Sequence, residues 1–314
     1  MSVEHVYPMI RGWFLLLLKG MLMGAADVVP GVSGGTIAFI TGIYDRLLAS
    51  ISALDAEFFK LVLSFRVKEA FQRIPWGFLL PLLAGIGISI FSLARGVSFL
   101  LLHYPRELWA FFFGLVTAST WVVARSVPLH NFLFWVSLIL GAVFAYVLVG
   151  RIPVMTPAVF WFTFLSGAIA SCAMILPGIS GSFILVLLSQ YQRILEAVKE
   201  LQVFVLVWFA AGAFVGLVSF SRLLRFLLLR YHVPTMAALC GFMLGSLRRV
   251  WPYQKVLETT TIHGKTTPLR IQNVFPDAAA QELILHVALL VVGFFVVWTI
   301  SHVAGRAAAR EKNP

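Results

Sequence analysis

The sequence predicts an all-α polytopic membrane protein made of two inverted repeats, each a re-entrant helical hairpin broken at Pro-Gly-X-Ser-Gly plus about three transmembrane helices. Three observations carry that expectation. Of the 314 residues 60% are apolar and 12% are charged, far more hydrophobic surface than a soluble domain of this size buries. Several stretches of about 20 residues hold no Asp, Glu, Lys or Arg, the length that crosses roughly 30 Å of hydrocarbon as helix. A helix-breaking motif then interrupts two apolar runs, as Asp27-Val-Val-Pro-Gly-Val-Ser-Gly-Gly-Thr36 and again as Pro177-Gly-Ile-Ser-Gly-Ser182. Proline removes a backbone donor and glycine admits angles that other residues resist, so Pro30 and Pro177 read as structural helix breaks at membrane depth.

The first repeat covers residues 1–150. An apolar arm from Ile10 to Ala26, carrying Lys19, leads into the first break, and a second arm from Gly35 to about Ile51 leads out, giving a hairpin over about 10–51. Each arm is short for a full crossing. No small-residue cleavage site follows the first arm, so a removable signal peptide is not expected. Residues 54–75 mix Asp55, Glu57, Lys60, Arg66, Lys68, Glu69 and Arg73 with aromatics and leucines, which reads as an amphipathic interfacial helix. Spans at 76–103, 107–124 and 131–150 follow. The second repeat covers 151–314: a hairpin over about 156–198, spans at about 201–230, 234–250 and 282–304, a polar loop over 252–280 and a basic tail from Arg306 to Lys312.

The repeat is legible in the residues themselves. Pro30 and Pro177 are 147 positions apart, and the same shift lays Gly20 on Gly167, Gly31 on Gly178, Ser33 on Ser180, Gly34 on Gly181, Tyr44 on Tyr191 and Arg46 on Arg193. A shift of 127 matches Gly85 to Gly212, Ser92 to Ser219, Arg95 to Arg222, Tyr104 to Tyr231 and Gly114 to Gly241. The difference of 20 residues is the insert of the first half. If each break returns to its own side, each half crosses three times, an odd number, and the second half is inverted. A small excess of Lys and Arg on the side of the termini favours cytoplasmic termini.

Non-helical backbone at membrane depth is tolerated only where it is buried in protein or lines a watery cavity. Two such breaks in matched positions of inverted halves point to the substrate site of a transporter. A helix restarting after each break directs free N–H groups and the positive end of its dipole at the turn, which suits an anion. The candidate contacts are therefore Gly31, Ser33, Gly34, Gly35 and Thr36 in the first break and Gly178, Ser180, Gly181 and Ser182 in the second. The plainer alternative, that the motif only kinks a packed helix, is weakened by the matched pair. Arg95 and Arg222 lie deep in equivalent apolar spans, where an ionised arginine faces a cavity or a partner, and guanidinium suits phosphate through two parallel hydrogen bonds. Snorkelling to the interface is the other reading of both. Arg46 and Arg193 follow Tyr44 and Tyr191 at arm ends, where interface anchoring ranks above a ligand role. Asp27, replaced by Met174 in the second break, is read as a cap, an ion-pair partner or a coupling group.

A net charge of +11 would suggest nucleic acid in a soluble protein. Here the basic residues gather at the ends of apolar segments, so anionic membrane lipids are the expected partners and nucleic acid is not. Cys172 and Cys240 form neither a metal site nor a disulfide framework. His103, His232, His286 and His302 lack metal-ligand spacing, and no metal or cofactor is expected.

The run Lys19-Gly-Met-Leu-Met-Gly-Ala-Ala-Asp-Val-Val-Pro-Gly-Val-Ser-Gly-Gly-Thr-Ile37, followed by Gly42-Ile-Tyr44, resembles the PopT-type undecaprenyl-phosphate translocases, a bacterial membrane family once defined only as a domain of unknown function. The resemblance implies a flippase returning a polyprenyl-phosphate lipid, undecaprenyl phosphate, from the outer to the inner leaflet of the bacterial plasma membrane, where it is reloaded for peptidoglycan and other cell-envelope polymers. On that reading the breaks and the two deep arginines meet the phosphate while the tail stays in lipid, and the halves rock in alternating access. Membrane undecaprenyl-diphosphate phosphatases look similar, with the signature Pro-Gly-X-Ser-Arg-Ser. Gly34 and Gly181 stand here where that arginine would be, and no paired intramembrane glutamates appear. Phosphoryl chemistry needs such positioned charge, so transport is favoured and an enzyme is not expected. A non-transporting scaffold, docking through 54–75 or 252–280, is the third reading.

Overall fold

The computed structural model describes residues 3–28, 33–128, 131–151, 156, 157, 159–262, 265–277 and 279–312; within these, the side chains of 3–11, 28, 94, 95, 98, 258–262, 265–271 and 303–312 are not described. The helices, in order, are α1 (Val3–Val28), α2 (Gly34–Ile40), α3 (Tyr44–Ser52), α4 (Ala56–Leu63), α5 (Val67–Gln72), α6 (Trp76–His103), α7 (Pro105–Ala124), α8 (Phe132–Val149), α9 (Phe160–Ile175), α10 (Gly181–Leu187), α11 (Tyr191–Lys199), α12 (Val203–Arg230), α13 (His232–Val250) and α14 (Ala280–Lys312), with strands β1 (Gln254–Ile262) and β2 (Lys265–Asn273) before α14. The chain is a mostly helical multi-pass membrane protein. Among the described residues five helices, α6, α7, α8, α12 and α14, are long and apolar enough to cross a bilayer. The sixth expected span, α13, is less apolar because α7 and α8 sheathe it; Ala, Gly, Ser and Met fill much of its buried face.

Four helix pairs form the frame, and each crosses on a glycine from both partners. A Cβ at Gly20 would lie 2.2 Å from the Leu82 oxygen, and one at Gly85 would lie 2.1 Å from the Leu17 oxygen, which brings α1 and α6 together. The same exchange joins α9 to α12 through Gly167 on Phe209 and Gly212 on Phe164, α7 to α14 through Gly114 on Leu290 and Gly293 on Phe111, and α8 to α13 through Gly141 on Ala238 and Gly241 on Leu138. Small residues let helix backbones approach within lipid, where no hydrophobic force presses helices together. Because Gly20 and Gly24 meet residues 82 and 86 in rising order, α1 and α6 run parallel; α9 and α12 do likewise through 164–168 and 212–216. Equivalent contacts recur at the sequence shifts of 147 and 127, down to an exchange of residue types: Gly24 faces Ser89 in the first half and Ser171 faces Gly216 in the second.

The ends of α2 and α10 are also built alike. Gly42 N donates to the Phe39 oxygen and Ile43 N to Ala38, while Ser189 N donates to Val186 and Gln190 N to Leu185, each residue 147 positions on. This paired closure needs a left-handed residue: Gly42 has φ +69° and Ser189 φ +51°.

Two expectations are corrected. Residues 54–75 form two short helices, not one, because the chain turns through Phe65 at φ +56° after α4; Asp55 caps α4 on Phe58 N at 2.8 Å, and Arg73 pairs with Asp55 and Glu57 to fold α5 back beside it. The polar loop 252–280 contains a two-stranded antiparallel ribbon, Gln254 opposite Asn273. Its base is fixed by Trp251 Nε1 donating to the Val274 oxygen and by the Tyr253 hydroxyl against His286 Nδ1 at 2.7 Å.

Candidate functional site

The two breaks meet each other in the interior. Pro30 and Gly31 lie outside the described residues, but the chain on either side of them is described. Ser33 is buried at the start of α2, where its Oγ accepts from Gly35 N at 3.1 Å and donates to the Met174 oxygen at 3.2 Å. Thr36, fully buried, accepts from Gly178 N at 3.1 Å. Tyr44 OH donates to the Ile175 oxygen at 3.0 Å. The last carbonyls of α9, left open where Pro177 stops the helix, are thus received by side chains of the other half. Gly35 is needed for this approach, since a Cβ there would stand 2.7 Å from the Ile175 oxygen.

Asp27 Oδ1 accepts from Gly34 N at 2.7 Å, so the carboxylate holds the restart of the helix across the break. At the matching place in the second half, Gly181 lies over Met174 in the way Gly34 lies over Asp27. Thioether replaces carboxylate, and Ser180 makes no cap bond; its Oγ pairs with Ser182 Oγ at 2.6 Å. Gly178 takes φ +89° and rests on α13, with Ser246 Oγ 2.7 Å from where a Cβ would be. The far end of α2 is held by Lys19 Nζ, which donates to the Thr41 oxygen at 2.8 Å; at the equivalent end of α10, Thr156 Oγ1 donates to the Leu188 oxygen.

The arginines divide. Arg46 is exposed and lies 4.5 Å over the Phe78 ring. Arg193 is half-buried, and its Nη1 is buried with no hydrogen-bond partner among the described residues. Arg222 is exposed and donates to the Leu54 oxygen at 2.6 Å, and Arg225 beside it donates to Ser52 Oγ; no contact among the described residues links Arg222 to a break. Arg95 lies on α6, and its side chain is not described. Sequence reasoning passed over Arg249, in the last turn of α13. Its guanidinium lies 5.4 Å over the ring of Phe183, a residue of α10, and its Nε is buried with no partner among the described residues. The Arg248-Arg249 pair at the end of a span looks like an interface anchor in sequence, and only the packing of α10 turns one of the two inward. Among the described residues no group of His, Cys, Asp or Glu is arranged to hold a metal.

Such an arrangement offers hydroxyls and close-packed glycines at the meeting point of two broken helices, with the Arg249 guanidinium against α10 beside it, which suits an anion carried through a low-dielectric interior. Residues 23–267 match the family described as VCA0040-like, undecaprenyl phosphate translocase-like. The chain is similar to a polyprenyl-phosphate transporter of Vibrio cholerae serotype O1, 45% identical over 260 residues that cover 82% of this chain and 84% of the relative. It is also similar to a polyprenyl-phosphate transporter of Staphylococcus aureus, 30% identical over 259 residues, covering 75% of this chain and 85% of the relative. No solved structure matches it. On the length of these matches, the chain belongs to the undecaprenyl phosphate translocase-like family.

Proposed function

We propose that this chain transports polyprenyl phosphate and, more specifically, moves undecaprenyl phosphate from the outer to the inner leaflet of the bacterial plasma membrane by alternating access between two inverted repeats, 1–150 and 151–314. The observation that carries the reading is the contact between the breaks, Thr36 on Gly178 and Ser33 on Met174, because a site shared by both halves is what rocking must open in turn. Parallel packing of α1 with α6 and of α9 with α12 supports re-entrant hairpins, since the chain between each pair must come back to the side it left. The phosphate is received at the second break, by Ser180 and Ser182 with Arg193 and Arg249, and passes Gly181, Gly178, Gly34 and Gly35. Arg95 and Arg222 serve the two openings. Both termini are cytoplasmic, and no chemistry on the phosphate is involved.

Reconstitution of the full chain in liposomes tests this. Access of an added phosphatase to polyprenyl phosphate in the two leaflets is expected to equalise faster with the protein than without it, and the protein alone is expected to release no phosphate from undecaprenyl diphosphate. Phosphate release without exchange would move the chain to the phosphatase class; neither activity would leave the scaffold.

A further inference from the structure

A groove of about 820 Å³ runs along α8 and α13, lined by Leu140, Val143, Phe144, Val147, Ala238 and Phe242, with Arg151 at one end. Its wall faces the bilayer: Leu140 is 65%, Val143 56% and Phe144 57% exposed. Leu140 to Arg151 spans about 16 Å at a helical rise of 1.5 Å per residue, about half of a roughly 30 Å hydrocarbon core. The groove therefore occupies one leaflet, with its cation at the headgroup end. A second guanidinium shares that end, Arg248, which lies 4.3 Å over the Tyr146 ring and donates to the Tyr146 oxygen at 3.1 Å. Midway along the groove Phe144 and Phe242 meet edge to face, 5.6 Å between centroids. Phe242 and Leu148, also a lining residue, pack against the cluster holding Ile179 of the second break, and the Phe242 oxygen is 3.3 Å from where a Cβ at Gly178 would stand.

We propose that this groove is a loading site for the isoprene units nearest the phosphate of a polyprenyl phosphate, in the leaflet on the Arg151 side; the inference rests on the function proposed above. Three features select that occupant. A concave apolar channel immobilises a chain that a convex lipid-facing surface leaves free, and its volume is that of a site for a drug-sized ligand, enough for a few units with the rest of the tail in bilayer. The paired guanidiniums complement a phosphate at interface depth. The groove wall backs directly onto the break proposed to receive the headgroup, through Phe242 and Leu148 against the Ile179 cluster, so a lipid seated here lies beside its next site.

The test irradiates the full chain in liposomes with a polyprenyl phosphate carrying a diazirine in its phosphate-proximal units. Adducts are expected on residues 137–151 and 238–242, reduced about fivefold or more by unlabelled polyprenyl phosphate and unaffected by excess phosphatidylglycerol. Val143→Trp, which fills the groove from a lipid-facing position, is expected to lower them to a similar extent; Leu133→Trp, on α8 outside the groove, is expected to leave them within about twofold. Adducts elsewhere, or equal competition by phosphatidylglycerol, would overturn the inference, and the wild-type competition decides this even if a variant fails to fold. Exchange of polyprenyl phosphate between leaflets with adducts elsewhere removes the groove alone, whereas absence of both exchange and adducts removes the proposed function with it.

Discussion

Around the first break the polar side chains are engaged with the protein: Asp27 on Gly34, Ser33 on Gly35 and Met174, Thr36 on Gly178, Lys19 on Thr41. Around the second, Thr156 holds the Leu188 oxygen as Lys19 holds Thr41, but Met174 stands in the place of Asp27, Ser180 and Ser182 bond to one another, and Arg249, over Phe183, keeps a buried nitrogen without a partner among the described residues. The two regions share a sequence pattern and the same helix-end geometry, yet one spends its hydrogen bonds on the joint and the other holds them in reserve. On the function proposed above, the first break anchors the two halves and the second receives the phosphate.

The largest effect that would sharpen this contrast is expected at Arg249. Replacing it with Met keeps the bulk and removes a buried charge whose Nε has no partner among the described residues. Lipid exchange in liposomes is expected to fall about tenfold or more, while thermal unfolding of the purified protein stays at or above wild type, because such a charge costs stability. A variant that loses stability along with exchange would assign Arg249 to the scaffold. On the joint, Thr36→Val leaves Gly178 N buried without its acceptor and is expected to cost about 1–3 kcal/mol, read as a lowered unfolding temperature.

Much of this architecture was legible in the chain. The bounds of α6, α8 and α12 follow from strongly apolar runs of membrane length, and the matched breaks announced themselves through Pro30, Gly31, Ser33 and Gly34 against Pro177, Gly178, Ser180 and Gly181. What could not be read is pairing across halves. That α7 packs on α14 and α8 on α13 depends on Gly114, Gly293, Gly141 and Gly241, and a single glycine in an apolar helix names no partner. The ribbon was missed because its threonines read as polar loop, although β-branched runs flanking His263-Gly264 carry a hairpin signal. The fold-back at Phe65 had no signal, since an aromatic residue rarely adopts positive φ.

Smaller effects separate the breaks further. Ser33→Ala removes a helix cap and a bond to the other half and is expected to cost about 1 kcal/mol, whereas Ser180→Ala, with no cap bond to lose, is expected to leave unfolding within a few tenths of a kcal/mol while slowing exchange several-fold. The least change is expected at the equivalent left-handed residues. Ser189→Gly should stabilise and Gly42→Ser destabilise by ~0.5 kcal/mol, the left-handed strain being partly offset by the unfolded-state entropy of glycine; equal signs would mean that the two ends are not built alike.

Binding of polyprenyl phosphate by the purified full chain, read as a ligand-induced rise in unfolding temperature, tests most directly whether the second break is the receiving one. The rise is expected to survive in Ser33→Ala, despite its lower starting stability, and to vanish in the double variant Ser180→Ala/Ser182→Ala. A rise lost in Ser33→Ala and kept in the double variant would contradict the assignment and move reception to the first break.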